Sequence, residues 1–178
     1  MTNIFERAAQ YAENKSNEAI TKAIAQAYID GYKDCEDAKF IDLGLPSGTL
    51  WAIDYEKSDK GEVLYLPYEQ AKQMKLPTDK QWRELKECCK WDYVIIGDTV
   101  INICVGPNGN FIVFGNTGYI NEHSEKTSKD GARVWSGDLS NDGYGHVSMN
   151  SYYIINGRMV AHGHSATCEY KIPVRLVR

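Results

Sequence analysis

Two short stretches constrain this chain more than the rest of its length. They are Phe40-Ile41-Asp42-Leu43-Gly44-Leu45-Pro46-Ser47-Gly48-Thr49-Leu50-Trp51-Ala52 and Leu76-Pro77-Thr78-Asp79-Lys80-Gln81-Trp82. Each sets a turn-forming Pro or Gly close to a Trp large enough to anchor a core. Neither carries a nucleophile elbow, a metal cluster or a phosphate cradle. They specify a scaffold before they specify any chemistry.

A length of 178 residues, with 43% hydrophobic and 25% charged residues, suffices for one core-bearing domain and an appended element. The net charge of −4 argues against nucleic acid as a partner. Met1 to Arg7 shows no basic segment leading into an apolar run, so no signal peptide is expected, and no stretch is apolar enough to insert into a membrane. A cytoplasmic or virion location is the expectation. Cys35, Cys88, Cys89, Cys104 and Cys168 are odd in number and lack CxxC spacing, which points to reduced structural thiols. Neither a metal nor a cofactor is expected.

Residues 3 to about 37 read as an amphipathic helical arm, with Ile4, Phe5, Ala8, Ala12, Ile20, Ala23, Ile24, Ala27 and Tyr28 near the helical period. The arm either packs on its own domain or forms a homo-oligomeric stalk, a trimer for instance. The division is 1–38 for the arm and 39–178 for the main domain. Pro67 to Met74 reads as a short helix, and a second begins at Thr78, whose hydroxyl suits an N-cap. Trp82, Leu85 and Cys89 share its inner face. Strands are expected over Trp91 to Ile96, Thr99 to Val105, Phe111 to Phe114, Val134 to Leu139, Gly145 to Ile155 and Arg158 to His162. Residues 115 to 133 read as a long loop. Asn156-Gly157 predicts a two-residue hairpin that pairs Ile155 with Arg158, Tyr153 with Val160 and Ser151 with His162. A last strand spans Tyr170 to Val177, with Pro173 at an edge or bulge.

The ordered motifs resemble those of a family of gut-bacterial and phage domains, the Fibrobacter major paralogous group. They are Asp42 to Ala52, Leu76 to Leu85, Gly106-Pro107-Asn108-Gly109-Asn110, Gly118-Tyr119, Trp135-Ser136 and Pro173-Val174-Arg175. The resemblance covers about residues 40 to 178. Lys80-Gln81 departs from the family's acidic pair, Ile53 stands where relatives often have Cys, and Pro173 replaces Ser. What the resemblance implies is an α+β, C-type-lectin-like fold: two short helices, antiparallel sheets and long loops. The same fold variant is used by formylglycine-generating enzymes and by retroelement-diversified variable proteins. The enzyme's late cysteine pair has no counterpart here beyond Cys168, so its activity is not implied.

Catalytic patterns are absent from the residues themselves. Ser47 lacks a GxSxG setting and reads as a turn hydroxyl. His162-Gly163-His164 places two imidazoles on one side of a strand, with His146, His123 and Glu169 as distant company, a thin donor set for a metal. A non-enzymatic binding surface is the expectation, because the region from Ser136 to Cys168 combines Tyr with small polar residues as antibody loops do. The candidate contacts are Asn141, Asp142, Tyr144, His146, Asn150, Tyr152, Tyr153, Arg158, His162 and His164. A cell-surface protein or glycan is the expected partner, as for a phage receptor-binding or diversified variable protein. The alternative is a structural or assembly protein that oligomerises through the arm.

Overall fold

Thr78 caps a ten-residue helix, Asp79–Cys88, as its hydroxyl predicts. Its Oγ1 accepts a hydrogen bond from Gln81 N at 3.2 Å, and Gln81 Oε1 accepts one from Thr78 N at 2.9 Å, closing a capping box. In the computed structural model the described residues are 39–96, 99–127, 131–141, 147–165 and 169–178, with 162–165 described by their backbone alone. The helical arm and the oligomerisation assigned to residues 1–38 lie outside them.

The elements run β1 (Phe40–Asp42), β2 (Leu50–Ala52), β3 (Tyr65–Pro67), α1 (Tyr68–Ala71), α2 (Asp79–Cys88), β4 (Lys90–Ile96), β5 (Thr99–Val105) and β6 (Phe111–Gly115). After these come β7 (Tyr119–Ile120), β8 (Lys126–Thr127), β9 (Ala132–Asn141), β10 (Val147–Ile155), β11 (Arg158–Ser165) and β12 (Lys171–Pro173). The α+β expectation is therefore corrected. Among the described residues the chain is mostly β, with helices of only 4 and 10 residues. Pro67 sits at the start of α1, and Pro77 disfavours helical backbone at Leu76, so α1 has little room to grow. From Trp91 to Phe114 the strand segments are rich in β-branched and aromatic residues.

Among the described residues the strands form four antiparallel sheets, ordered β1-β2, β11-β10-β9, β3-β12-β7-β8 and β4-β5-β6. The Asn156-Gly157 turn has positive φ at both residues, 47° and 69°, and gives the predicted register, with Ile155 opposite Arg158 and Tyr153 opposite Val160. Two expectations fail. The supposed loop over 115–133 contains the β7–β8 hairpin, whose turn is organised by Asn121: its Oδ1 accepts from His123 N at 3.0 Å and Glu125 N at 2.9 Å. Pro173 is in an interior strand rather than at an edge. It is tolerated because β7 meets β12 only at Lys171, and the Pro173 position pairs with Tyr65 on β3 alone. The chain end closes the fold at β2, where Leu50 and Arg178 exchange backbone hydrogen bonds of 3.1 and 2.9 Å.

The core has two parts. One gathers Leu43, Trp51, Trp82, Leu85, Phe114, Val134, Tyr152 and Ile154; the other gathers Tyr68, Leu76, Trp135, Met149 and Ile172. Trp51 and Trp82 meet edge to face at 4.9 Å, and Tyr152 stacks on Trp82 at 4.8 Å. Arg175 is fully buried beneath this core: its Nη2 donates to Val113 O at 2.7 Å and its guanidinium lies 4.2 Å from the Phe114 ring centre.

The sequence motifs lock into one another. Glu84 of α2 accepts from Ser47 N at 2.8 Å and from Ser47 Oγ at 2.5 Å, pinning the Pro46-Ser47-Gly48 turn. Asn108 and Asn110 each donate to Asp42 O, at 3.0 and 2.8 Å. Gly106 has to be glycine, because a Cβ there would lie 2.1 Å from Leu43 O.

Candidate functional site

Strand β9 is interrupted where it crosses the start of α2. Leu139 pairs with Met149 and Trp135 with Ser151, so Ser136, Gly137 and Asp138 together oppose the single residue Asn150. A bulge of this size frees backbone and side-chain polar groups that must find partners. They find them in Pro77-Thr78-Asp79. Gly137 N donates to Pro77 O at 2.8 Å, Ser136 Oγ to Asp79 Oδ1 at 2.6 Å, and Asp79 N to Asp138 Oδ2 at 2.6 Å. Asn150 fills the opposite side: its Nδ2 donates to Asp79 Oδ2 at 2.7 Å, and its Oδ1 accepts from Ser140 Oγ at 2.9 Å.

Past the bulge the sheet runs out over α1 and encloses an open groove of about 370 Å³. Tyr68, Gly137 and Met149 form its floor, Leu139 and Val147 one wall, and Glu69, Lys72 and Gln73 the other. Trp135 fixes the floor from below by donating from Nε1 to Leu66 O at 2.8 Å and meeting the Tyr68 ring edge-on at 5.3 Å. The Tyr68 hydroxyl donates to Gly137 O at 3.1 Å. Burial, reinforced by the Asp138, Glu69 and Asp79 carboxylates, raises the Tyr68 pKa, so it stays a neutral donor. Leu139 and Val147 are 55% and 42% exposed, although each is large and aliphatic. Lys72 and Glu69 pair across one helical turn at 2.5 Å on the rim.

Among the described residues, the expected contact residues do not form one surface. Asn150 and Tyr152 are buried, which corrects their assignment to a binding face: Asn150 plugs the bulge, and Tyr152 is core, stacked on Trp82. Tyr153 is half-buried, with the Arg133 guanidinium 5.4 Å from its ring and 4.5 Å from that of Tyr119. Arg158 is exposed at the β10–β11 turn, and Asn141 is exposed at the end of β9 opposite Val147. His162 and His164 pair with Ser151 and Met149 in β11, but their side chains lie outside the described residues, as do Asp142, Tyr144 and His146 altogether. Among the candidates with described side chains, Asn141 is the one brought beside the groove wall, opposite Val147.

The groove residues Tyr68, Leu139 and Val147 were missed by sequence reasoning. Their one signal was a Leu and a Val flanking polar residues in a segment otherwise read as a display surface. Among the described residues no group of three or more His, Cys, Asp or Glu is placed to hold a metal ion. No helix among them is long and apolar enough to cross a membrane. Compared with known proteins, the chain matches no family model, no curated protein and no solved structure.

Proposed function

We propose that this chain is a non-enzymatic binding module, and that the groove between α1 and the β9–β10 hairpin receives an apolar group of a cell-surface protein. The observation that carries the reading is the pair Leu139 and Val147, two aliphatic side chains left in solvent along one wall of a concave site. A volume of about 370 Å³ is near the small end of ligand sites, which run from roughly 300 to 1,000 Å³, and suits one or two side chains. An aliphatic wall favours a protein over a glycan, whose hydroxyls need hydrogen-bonding partners. Binding rather than catalysis is supported by the engagement of the rim's ionisable groups: Glu69 with Lys72, and Tyr68 with a backbone carbonyl. The motif resemblance to gut-bacterial and phage domains supports a surface partner.

The test is binding of the full chain to arrays of bacterial surface proteins and glycans, beside the double variant Leu139→Asp/Val147→Asp. Both positions are exposed, so the variant should melt within a few degrees of the parent while losing at least tenfold in retention on protein spots. Equal retention by a folded variant refutes the groove, and retention confined to glycan spots refutes the partner class.

A further inference from the structure

Cys89 ends α2 in an extended conformation, φ −99° and ψ 152°, and leads straight into β4. There Trp91 pairs with Cys104 on β5. Because alternate strand residues share a face, Cys89 and Trp91 point to the same side, and Cys89 becomes the diagonal cross-strand neighbour of Cys104. Both belong to the main core, with exposures of 9% and 0%, and both are free thiols. The two side chains hydrogen-bond each other. A packing role alone needs no pair of thiols in contact, since Ala or Val fills such positions without oxidisable sulfur.

We propose that Cys89 and Cys104 form a thiol–disulfide site, in which Cys89 reacts with a low-molecular-weight disulfide and Cys104 resolves the adduct into an internal cross-link. The Cys89 sulfur attacks one sulfur of the small disulfide, forming a mixed disulfide and releasing one thiolate. Cys104 then gives up its proton, and its sulfur attacks Cys89 Sγ and expels the second small thiol. Two protein thiols are oxidised, and one small disulfide is reduced to two thiols. The hydrogen bond from Cys104 lowers the Cys89 pKa, while burial raises that of Cys104, which matches the order of attack. Cys88, next in sequence, is the weaker nucleophile: desolvation and the Glu84 carboxylate both raise its pKa. Cys88, the last residue of α2, is half-buried, so this end of the helix is the nearest solvent-facing approach to Cys89.

The experiment incubates the native full chain with oxidised glutathione, blocks free thiols with N-ethylmaleimide and maps the peptides. A Cys89–Cys104 linked pair and an intact mass lower by two hydrogens are expected. The cross-linked chain should melt several degrees higher, because the link closes the β4–β5 connection in the unfolded state. Cys104→Ala should accumulate the glutathione adduct at Cys89, and Cys89→Ala should show neither adduct nor link. Both thiols blocked in the wild-type map, linkage to any other cysteine, or linkage that forms only in denaturant overturns the proposal. The wild-type map decides the question even if a variant folds poorly.

Discussion

Replacing Tyr152 with Ala separates a core ring from a ligand contact, because the two roles predict opposite outcomes. The ring is 5% exposed and lies nearly parallel to Trp82, at 21° and 4.8 Å between centres. Truncating a buried aromatic to Ala costs about 3–5 kcal/mol, and the stacked pair accounts for about 0.5–1.5 kcal/mol of that. The hydroxyl adds a hydrogen bond to Asp79. A bond to a charged acceptor is worth about 1.5–3 kcal/mol, but Asp79 keeps Ser136 and Asn150, so Tyr152→Phe should cost nearer about 1 kcal/mol. At about 2–4 °C per kcal/mol, the Ala variant should melt roughly 6–20 °C lower and the Phe variant about 2–4 °C lower.

Urea denaturation followed by tryptophan fluorescence gives the free energies directly, since Trp82 reports the loss of its stacking partner. High pH supplies an independent check. Burial and the Asp79 carboxylate push the Tyr152 pKa up to about 12, so its stabilisation is present below the ordinary tyrosine value near 10 and lost as pH rises through 12. The gap between wild type and Tyr152→Phe should therefore shrink across that window. A Tyr152→Ala chain within about 1 kcal/mol of wild type would refute the placement of this ring in the core.

Two further substitutions probe the scaffold. Gly106→Ala should cost about 3 kcal/mol or more, because its Cβ would meet Leu43 O at 2.1 Å and force the backbone apart. Gly48→Ala has open space and pays only for its φ of +69°, about 1–2 kcal/mol; equal urea midpoints for the two variants would contradict this ranking. Asp54 carries a pH dependence of the opposite sign. Desolvation works to raise its pKa, but the hydrogen bonds from Lys57 and Tyr55 N and the charge of Arg175 outweigh it and leave the carboxyl lowered. Its stabilisation is thus present above the ordinary carboxylate value near 4 and is lost as pH falls below it. Asp54→Asn should narrow the stability difference between pH 7 and pH 3, measured by urea midpoints, and an unchanged difference would remove Asp54 from the account.

Local chemistry was legible in the sequence wherever one or two residues decide the outcome. Thr78 needs only its hydroxyl and Gln81 to cap α2, and Asn156-Gly157 needs only two positive φ values to set eight residue pairs between β10 and β11. Less legible was which side of that hairpin faces inward. Tyr152 shares its side with Ile154 and Met159, both buried, and that apolar company was the available signal. Weighing Tyr152 by residue type, as a residue common on binding surfaces, overrode it. Asn150 is the harder case, because a polar residue in a strand reads alike whether it serves a ligand or a bulge. The β7–β8 hairpin was hidden because each strand is two residues long and its turn depends on the side chain of Asn121.

The bulge in β9 joins the two questions of scaffold and site. An unbroken ladder from the Trp135–Ser151 pair would set Leu139 opposite Val147; the bulge sets it opposite Met149 instead, so that Leu139, Met149 and Val147 share the face that lines the groove. The bulge is held by Asp79, which bonds Ser136, Asn150 and, through its backbone N–H, Asp138. Asp79 belongs to the same motif that caps α2 and buries Trp82, so the residues that specify the scaffold also shape the groove. A motif with no reactive group of its own thus acts on function through geometry: it fixes where two aliphatic side chains meet solvent.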